Sequence, residues 1–474
     1  MFKNMFSSFE DTIVAPATVP GTGAITVIRV SGPEAIAVTG KVVKCKSKSI
    51  ESSDANTIRY GFVYDESGNA VDEVLVSVFR SPSSYTGEDS TEISCHASSY
   101  VASEILRLLC GAGARMAEPG EFTRRAFVNG KMDLAQAEAV ADVISSSSSA
   151  SLRVAMNQLR GGYSSELRSI RSSLVELTSL LELELDFSEE DVEFADRSRL
   201  SSLLDEVIGH VSSLASSFRF GNALRNGVPV AIVGAPNSGK STLLNSLLGD
   251  DRAIVSDVPG TTRDTVEETM VVDGILFRFI DTAGLRSSSD EVEKIGILRS
   301  YKKLYEASVV LALLDCTAPE EENETLISDV VSRIDFSAQK LVVLFNKVDI
   351  LGSNINVTLL NKEVSLFDNK YISLYISGKT GFGLSDLKKE LALTQKDLSS
   401  DFDHAIVTNS RHFEALNSAA SALGRVKSSL SSGLTPDLLA EDLREALHYL
   451  GTITGEVTPD EVLGEIFGRF CIGK

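Results

Sequence analysis

The octapeptide Gly234-Ala-Pro-Asn-Ser-Gly-Lys240-Ser241 constrains this chain more than any other stretch. It matches GxxxxGK[ST], follows the apolar run Val230–Val233 and precedes a helical stretch, which is the context the pattern requires. Its glycines let backbone N–H groups wrap phosphates, and the helix N-terminus adds a favourable dipole. Lys240 is expected to neutralise β- and γ-phosphate oxygens, and the Ser241 hydroxyl to hold Mg2+. Taken alone, the pattern is also compatible with a fortuitous glycine turn.

The motifs downstream argue against that alternative. Asp281-Thr-Ala-Gly284 ends one predicted strand, Asn346-Lys-Val-Asp349 ends another, and Ser377-Gly-Lys379-Thr follows a third. The carboxylate of Asp349 can accept two hydrogen bonds from guanine N1–H and N2–H2, which adenine does not offer, and the Ser377 loop supplies an amide near guanine O6. The expected GTP contacts are Asn237, Ser238, Gly239, Lys240, Ser241 and Thr242 in the phosphate loop. A second set is Ser256, Asp257, Val258, Pro259, Gly260, Thr261 and Thr262 in the next loop, followed by Asp281, Thr282, Ala283 and Gly284. Asn346, Lys347, Asp349, Ser377, Gly378 and Lys379 complete the guanine end. Thr262 is chosen to complete the Mg2+ shell with Ser241. Gly378 stands where Ala is usual. Hydrolysis needs a water-positioning group, and Leu285, after the Asp-x-x-Gly motif, cannot be one. Asp290, Glu291, Glu293 and Arg286 are candidates, and a solvated loop with a helix start explains the same charges.

Around this stretch the hydrophobic pattern changes twice. Residues 11–131 read as mixed α/β, with predicted strands at Ile25–Val30 and Val74–Phe79 and a predicted helix at Val101–Leu109. Leu167, Ile170, Leu174, Leu177 and Leu181 recur at helical spacing, as do Leu200, Leu203, Leu204, Val207, Ile208, Val211 and Leu214, which predicts amphipathic helices. From Val228, short apolar strands alternate with helices in the βαβ rhythm of a parallel sheet, with Val272-Asp-Gly-Ile275 as a hairpin turn. Helices resume near Ser410. The expected architecture is multidomain α/β + α. It comprises an N-terminal α+β domain (1–131), a discontinuous helical domain (132–224 and 396–474) and an inserted Ras-like P-loop domain (225–395).

Composition narrows the partners. The 474 residues carry 45 Lys+Arg against 66 Asp+Glu, a net charge of −21, which argues against nonspecific coating of nucleic acid. Residues 1–131 carry only −2, so the acidity lies mostly elsewhere. No run approaches the roughly 20 apolar residues of a membrane span. The first ten residues have no signal pattern, and Cys45, Cys95, Cys110, Cys316 and Cys471 form no CxxC, so a reducing cytoplasm is expected.

Six blocks together resemble one family. They are Asp11-Thr-Ile-Val-Ala15, Tyr85-Thr-Gly-Glu-Asp89, the stretch Pro119-Gly-Glu-Phe-Thr-Arg-Arg through Asn129-Gly-Lys131-Met-Asp-Leu to Glu138, Gly260-Thr-Thr-Arg-Asp264, Asp281-Thr-Ala-Gly-Leu-Arg286 and the terminal Cys471-Ile-Gly-Lys474. They run in order over nearly the whole chain and are similar to the MnmE (TrmE) family of tRNA-modification GTPases.

The resemblance implies a potassium-stimulated GTPase in which K+ replaces an arginine finger, held by Asn237, Ser256, Val258 and Thr261. Pro259 stands where many members carry Ala. It implies Glu293 as the catalytic glutamate alongside Lys240, and face-to-face pairing of two G domains. It also implies an N-terminal domain that dimerises and binds a reduced folate, 5,10-methylene- or 5-formyl-tetrahydrofolate, through Arg29, Glu92, Lys131 and Lys474. Cys471 is by the same resemblance a functional thiol; its plainer reading is a packed small apolar group. The family works with the flavoprotein MnmG, in an expected heterotetramer, to place an aminomethyl or carboxymethylaminomethyl group on C5 of the wobble uridine of certain tRNAs. Two other readings compete: a GTP-controlled assembly switch of the Era-like ribosome-biogenesis type, and a folate-dependent aminomethyl transferase that GTP merely regulates. The N-terminal blocks and the CIGK terminus speak against the switch.

Overall fold

The computed structural model describes residues 10–46, 48–186, 197–249, 268–280, 304–337, 339–351, 371–394, 405–432, 436–457, 459–468, 470–471 and 473. They fall into two compact units: Met1–Ala141 with Gln158–Ile208 and Ser418–Lys474, and Asp142–Asn157 with Gly209–Asn417. Both an α+β sheet and a parallel α/β sheet are present with long helices, so the chain is a multidomain α/β + α protein.

The first unit is built on seven strands: β1 (Ile13–Pro16), β2 (Ile25–Ser31), β3 (Val43–Cys45), β4 (Thr57–Tyr64), β5 (Ala70–Phe79), β6 (Ser90–His96) and β7 (Arg115–Met116). Their order is β3-β4-β5-β6-β2-β1-β7, antiparallel throughout except for the β1–β7 pair. Helices α1 (Ala35–Val42) and α2 (Ser99–Gly111) cover one face over Val14, Ile28, Val30, Val76 and Ile93, with Ile105 and Leu109 of α2 buried in the same core. One-sided burial makes the strands alternate, as β4 does with Val63 inside and Ile58, Tyr60 and Tyr64 exposed. Only two of these strands are evident from sequence. β6 reads STEISCH, and its polar positions dilute the β signal.

Helices α3 (Glu121–Val128), α4 (Leu134–Ser145), α5 (Ser149–Leu159), α6 (Gly162–Asp186) and α7 (Arg197–Ser216) follow. The apolar stripe of α6 from Leu167 to Leu181 is buried as its spacing predicts, as are Leu200, Leu204, Val207, Val211 and Leu214 of α7. Leu203 and Ile208 lie at the stripe's margin and are half-buried. The serine run at 145–149 is a helix boundary, where Ser148 and Ser151 cap each other's backbone N–H groups at 3.1 and 3.2 Å.

The second unit holds α8 (Phe218–Asn226), β8 (Val228–Gly234), α9 (Lys240–Leu248), β9 (Glu268–Val272), β10 (Ile275–Ile280), β11 (Val309–Asp315), α10 (Glu320–Arg333), β12 (Lys340–Asn346), β13 (Tyr371–Tyr375) and α11 (Leu384–Thr394). The sheet runs β13-β12-β11-β8-β10-β9, parallel except for β9. Covered on both faces, β11 and β12 read as continuous apolar runs with nearly every side chain buried. The β9–β10 turn has Asp273 and Gly274 both at positive φ, 49° and 79°, the geometry that Asp-Gly favours. Helices α12 (Ser410–Ser431), α13 (Pro436–Thr454) and α14 (Asp460–Gly468) complete the chain. Among the described residues, no helix is long and apolar enough to cross a membrane.

Candidate functional site

Parallel strands end on one edge of their sheet, and in open α/β sheets that edge carries the ligand. Here β8 ends at Gly234, β11 at Asp315 and β12 at Asn346. The phosphate loop leaves β8 and enters α9 through Gly239 at φ 99°. A Cβ at Gly239 would collide with Asn346 Nδ2, so both conformation and space require glycine. Asn237 also has a left-handed backbone, φ 61°, and stands exposed. The Lys240 ammonium donates to the Gly234 and Ala235 carbonyls at 2.9 and 2.8 Å, which sets it inside the loop. Ser241 follows in the first turn of α9, half-buried, and Thr242 is exposed. Ser238 is buried at 1% exposure.

Asn346 joins three motifs. Its Nδ2 donates to the Ser238 carbonyl at 2.7 Å, and its Oδ1 accepts from the Gly378 N–H at 3.0 Å. It is 3% exposed, so both halves of its amide are satisfied without solvent. Asp349, on the 3-10 turn Val348–Ile350, is exposed and accepts from Ser377 Oγ at 2.7 Å. Ser377 Oγ also receives the Thr380 N–H at 3.2 Å, and Ser246 Oγ donates to the Gly378 carbonyl at 2.5 Å. Lys379 is exposed at the loop's tip. The structure thus joins Ser238, Asn346, Asp349, Ser377 and Gly378 through hydrogen bonds and the chain itself, with Gly239 close against the Asn346 amide. Ser256, Asp257, Val258, Pro259, Gly260, Thr261, Thr262, Asp281, Thr282, Ala283, Gly284, Glu293 and Lys474 lie outside the described residues, as do Leu285, Arg286, Asp290 and Glu291.

A second polar cluster lies on the antiparallel sheet. Arg29 and Glu92 are directly paired across β2 and β6, with Nε and Nη2 of Arg29 both 3.0 Å from Glu92 Oε1. The guanidinium carbon sits 5.1 Å from the Tyr85 ring centroid and 5.6 Å from that of Phe122, within cation–π range. Burial pushes the Tyr85 phenol up, and its hydroxyl shares a 2.9 Å bond with Thr123. Lys131 is exposed and donates to the Pro82 carbonyl at 2.9 Å, in the loop that carries Tyr85. The C-terminal tail reaches the same region. Gly473 packs so tightly on the Pro16 carbonyl that a Cβ would collide, and the Cys471 carbonyl accepts from Gly120 N–H at 3.4 Å. Cys471 itself is exposed, which removes its packed-apolar reading.

Beneath that cluster, Arg125 has no solvent exposure. It binds Asp11 at 2.7 Å, Glu121 at 2.9 Å and Glu88 at 3.2 Å. Arg115 closes the set onto Glu121 and Asp11 at 2.6 and 2.5 Å. Burial works to raise the Glu121 carboxyl, but bonds from Arg115, the Glu118 N–H and Arg125 hold it below the usual range. Sequence reading did not assign roles to these residues, although Asp11, Glu88, Glu121 and Arg125 all lie within the motif blocks.

A six-stranded sheet with a phosphate loop after β8 and an Asn-Lys-x-Asp loop after β12 defines a P-loop protein of the GTPase class. The model of the GTP-binding protein TrmE N-terminus matches residues 12–131, and that of the MnmE helical domain matches 134–471. A curated tRNA modification GTPase MnmE of Bacteroides fragilis (strain YCH46) is 50% identical over 468 residues, covering 98% of this chain and all of the relative. The protein of that name from Cytophaga hutchinsonii is 47% identical over 474 residues, covering both chains entirely. The chain belongs to the MnmE (TrmE) family and is a GTP hydrolase.

Proposed function

We propose that this hydrolase, which acts in tRNA modification, couples a potassium-stimulated GTPase cycle to modification of the wobble uridine at C5. With the flavoprotein MnmG and a reduced folate donor, 5,10-methylene- or 5-formyl-tetrahydrofolate, it adds an aminomethyl or carboxymethylaminomethyl group. The single observation that supports this best is the convergence on Asn346 of the phosphate loop and the Ser377–Gly378 loop. In this reading it holds the base and phosphate subsites together.

In this reading Asp349 accepts from guanine N1–H and N2–H2, and Lys240 with the loop amides holds the β- and γ-phosphates. Ser241 and Thr262 would hold Mg2+. Asn237, Ser256, Val258 and Thr261 would hold K+, with Asp257, Pro259 and Gly260 in the same segment, and Asp281 to Gly284 would contact the γ-phosphate. The Asn237 amide and the Ser241 hydroxyl are oxygen donors of the kind such hard cations take. A bound cation offsets the negative charge that develops at the transferring phosphoryl group. Glu293 orients the attacking water, the task Leu285 cannot perform.

The N-terminal domain (1–131) would dimerise and bind folate; in the same reading the helical domain comprises 132–224 and 396–474 and the G domain 225–395. Glu92 spends Oε1 on Arg29 and keeps Oε2 for a pterin's amino and N3–H groups. Lys131 and Lys474 would meet the anionic tail, with the Cys471 thiol nearby. The protein would work in the cytoplasm, as a homodimer that forms a heterotetramer with MnmG. Deleting the gene and analysing tRNA nucleosides tests the proposal: loss of the wobble modification is expected, and unchanged wobble uridines would refute it. At the site, Glu293→Ala should keep GTP binding and lose potassium-stimulated hydrolysis.

A further inference from the structure

The last residue of β11 stands beside the guanine motif and has no role in the reading above. Asp315 pairs in register with Asn346, and the Cys316 N–H extends the ladder onto the Asn346 carbonyl at 3.1 Å. Lys347, the next residue along β12's exit, is held at φ 67°, a left-handed backbone that lysine seldom adopts. Its ammonium meets Asp315 Oδ2 at 2.5 Å. The other oxygen, Oδ1, is occupied separately: it accepts from the Thr317 N–H at 2.9 Å and the Thr317 hydroxyl at 2.6 Å. The Asp315 carboxylate is therefore oriented by its own turn, with one oxygen committed to that turn and one to Lys347. The side chains are 14% and 28% exposed, so the pair is shielded far more than a surface ion pair.

We propose that Asp315 is a positioning residue for guanine-nucleotide binding, anchoring the Lys347 ammonium so that its four-carbon stem is laid out beside Asp349 as one wall of the base subsite. The inference rests on the guanine-site reading of Asn346 to Asp349. A free lysine stem loses rotamer freedom when a base packs on it. A stem tethered at both ends, by a fixed backbone and by a carboxylate, has lost that freedom already.

Titration of the full chain with a fluorescent GDP analogue tests this. Asp315→Asn keeps an acceptor for Thr317 and removes the charge that Lys347 needs. It should weaken GDP about tenfold, the loss typical of one charge-assisted hydrogen bond, and raise KM for GTP more than it lowers kcat. Lys347→Ala should lose a similar factor, and the double variant should be no weaker than the worse single one, since the two act as a unit. GDP affinity within twofold of the parent for Asp315→Asn, or additive losses in the double variant, would overturn the proposal. An Asp349→Ala control separates the two layers. If it leaves GDP affinity unchanged, the guanine-site reading fails and this inference with it. If it abolishes binding while Asp315→Asn does nothing, only the inference fails.

Discussion

The two units fix their site loops by opposite means. In the nucleotide unit one neutral amide, Asn346, ties the phosphate loop to the Ser377–Gly378 loop through backbone groups. In the N-terminal unit the loop bearing Tyr85 and the start of α3 are tied through ions, with Arg125 fully buried among Asp11, Glu88 and Glu121. A neutral tie has little desolvation to offset and does not titrate. An ionic one is directional and strong only while its buried members stay paired, because Arg125 or Glu121 left behind is a buried charge short of a partner.

The sharpest way to break the comparison is to remove the hub on each side. Arg125→Ala should cost about 3–5 kcal/mol, since Glu121 at 3% exposure keeps its charge and loses a partner. Hydrogen exchange should report it as lost protection in β1 and β7, with β11 and β12 unaffected. Equal loss in both sheets would show that the ionic set is not local. Asn346→Ala should cost less, about 2 kcal/mol for two buried hydrogen bonds, and should appear mainly as weakened GDP binding by calorimetry.

Acid distinguishes the two ties without mutation. Asp11 and Glu121 have folded carboxyl values below their ordinary 3.8 and 4.5: burial opposes this, while bonds from Arg115 and Arg125 outweigh it. Depressed carboxylates contribute stability that is complete above the unfolded value and lost as pH falls through the folded one. Protection factors in β1 and β7 should therefore decline progressively below pH 4.5. The Asn346 bonds have nothing to protonate. Asp315 beside them does titrate: burial works to raise its carboxyl, but bonds from Lys347 and Thr317 hold it low. The comparison is therefore read at the Gly378 N–H that Asn346 accepts: loss of its protection before that of β1 and β7 would reverse the assignment.

How much of this the sequence disclosed follows the same division. The phosphate loop and the Asn-Lys-x-Asp loop are contiguous and sit at strand ends, so their chemistry can be read locally, and so can the apolar runs that become β11 and β12. Asp315 is 31 positions from Asn346 in the chain, and only parallel register brings them together. A carboxylate closing the run Leu311-Ala-Leu-Leu314 was the available signal, because parallel strands end on one edge. The Arg125 set was harder. Asp11 and Arg125 are 114 residues apart, and a buried arginine on a short helix looks in sequence like a surface cation. Arg29 and Glu92 were visible only through family resemblance, and their direct pairing across β2 and β6 comes from register alone.

The smallest effect is expected at Gly378. A Cβ there would lie 3.2 Å from both the Leu243 Cα and the Leu243 N, tight enough that helix α9 or the loop must yield by a few tenths of an ångström. The Ser246 hydroxyl bonded to the Gly378 carbonyl limits how far the loop can move. Against that strain, alanine reduces unfolded-chain freedom, which stabilises by about 0.4–1 kcal/mol where the backbone is compatible. The two terms are of similar size, so Gly378→Ala should leave thermal stability nearly unchanged and shift GDP affinity less than about threefold. A tenfold loss would mean that the neutral tie is as unforgiving of geometry as the ionic one is of charge. The contrast between the units would then lie in their pH response alone.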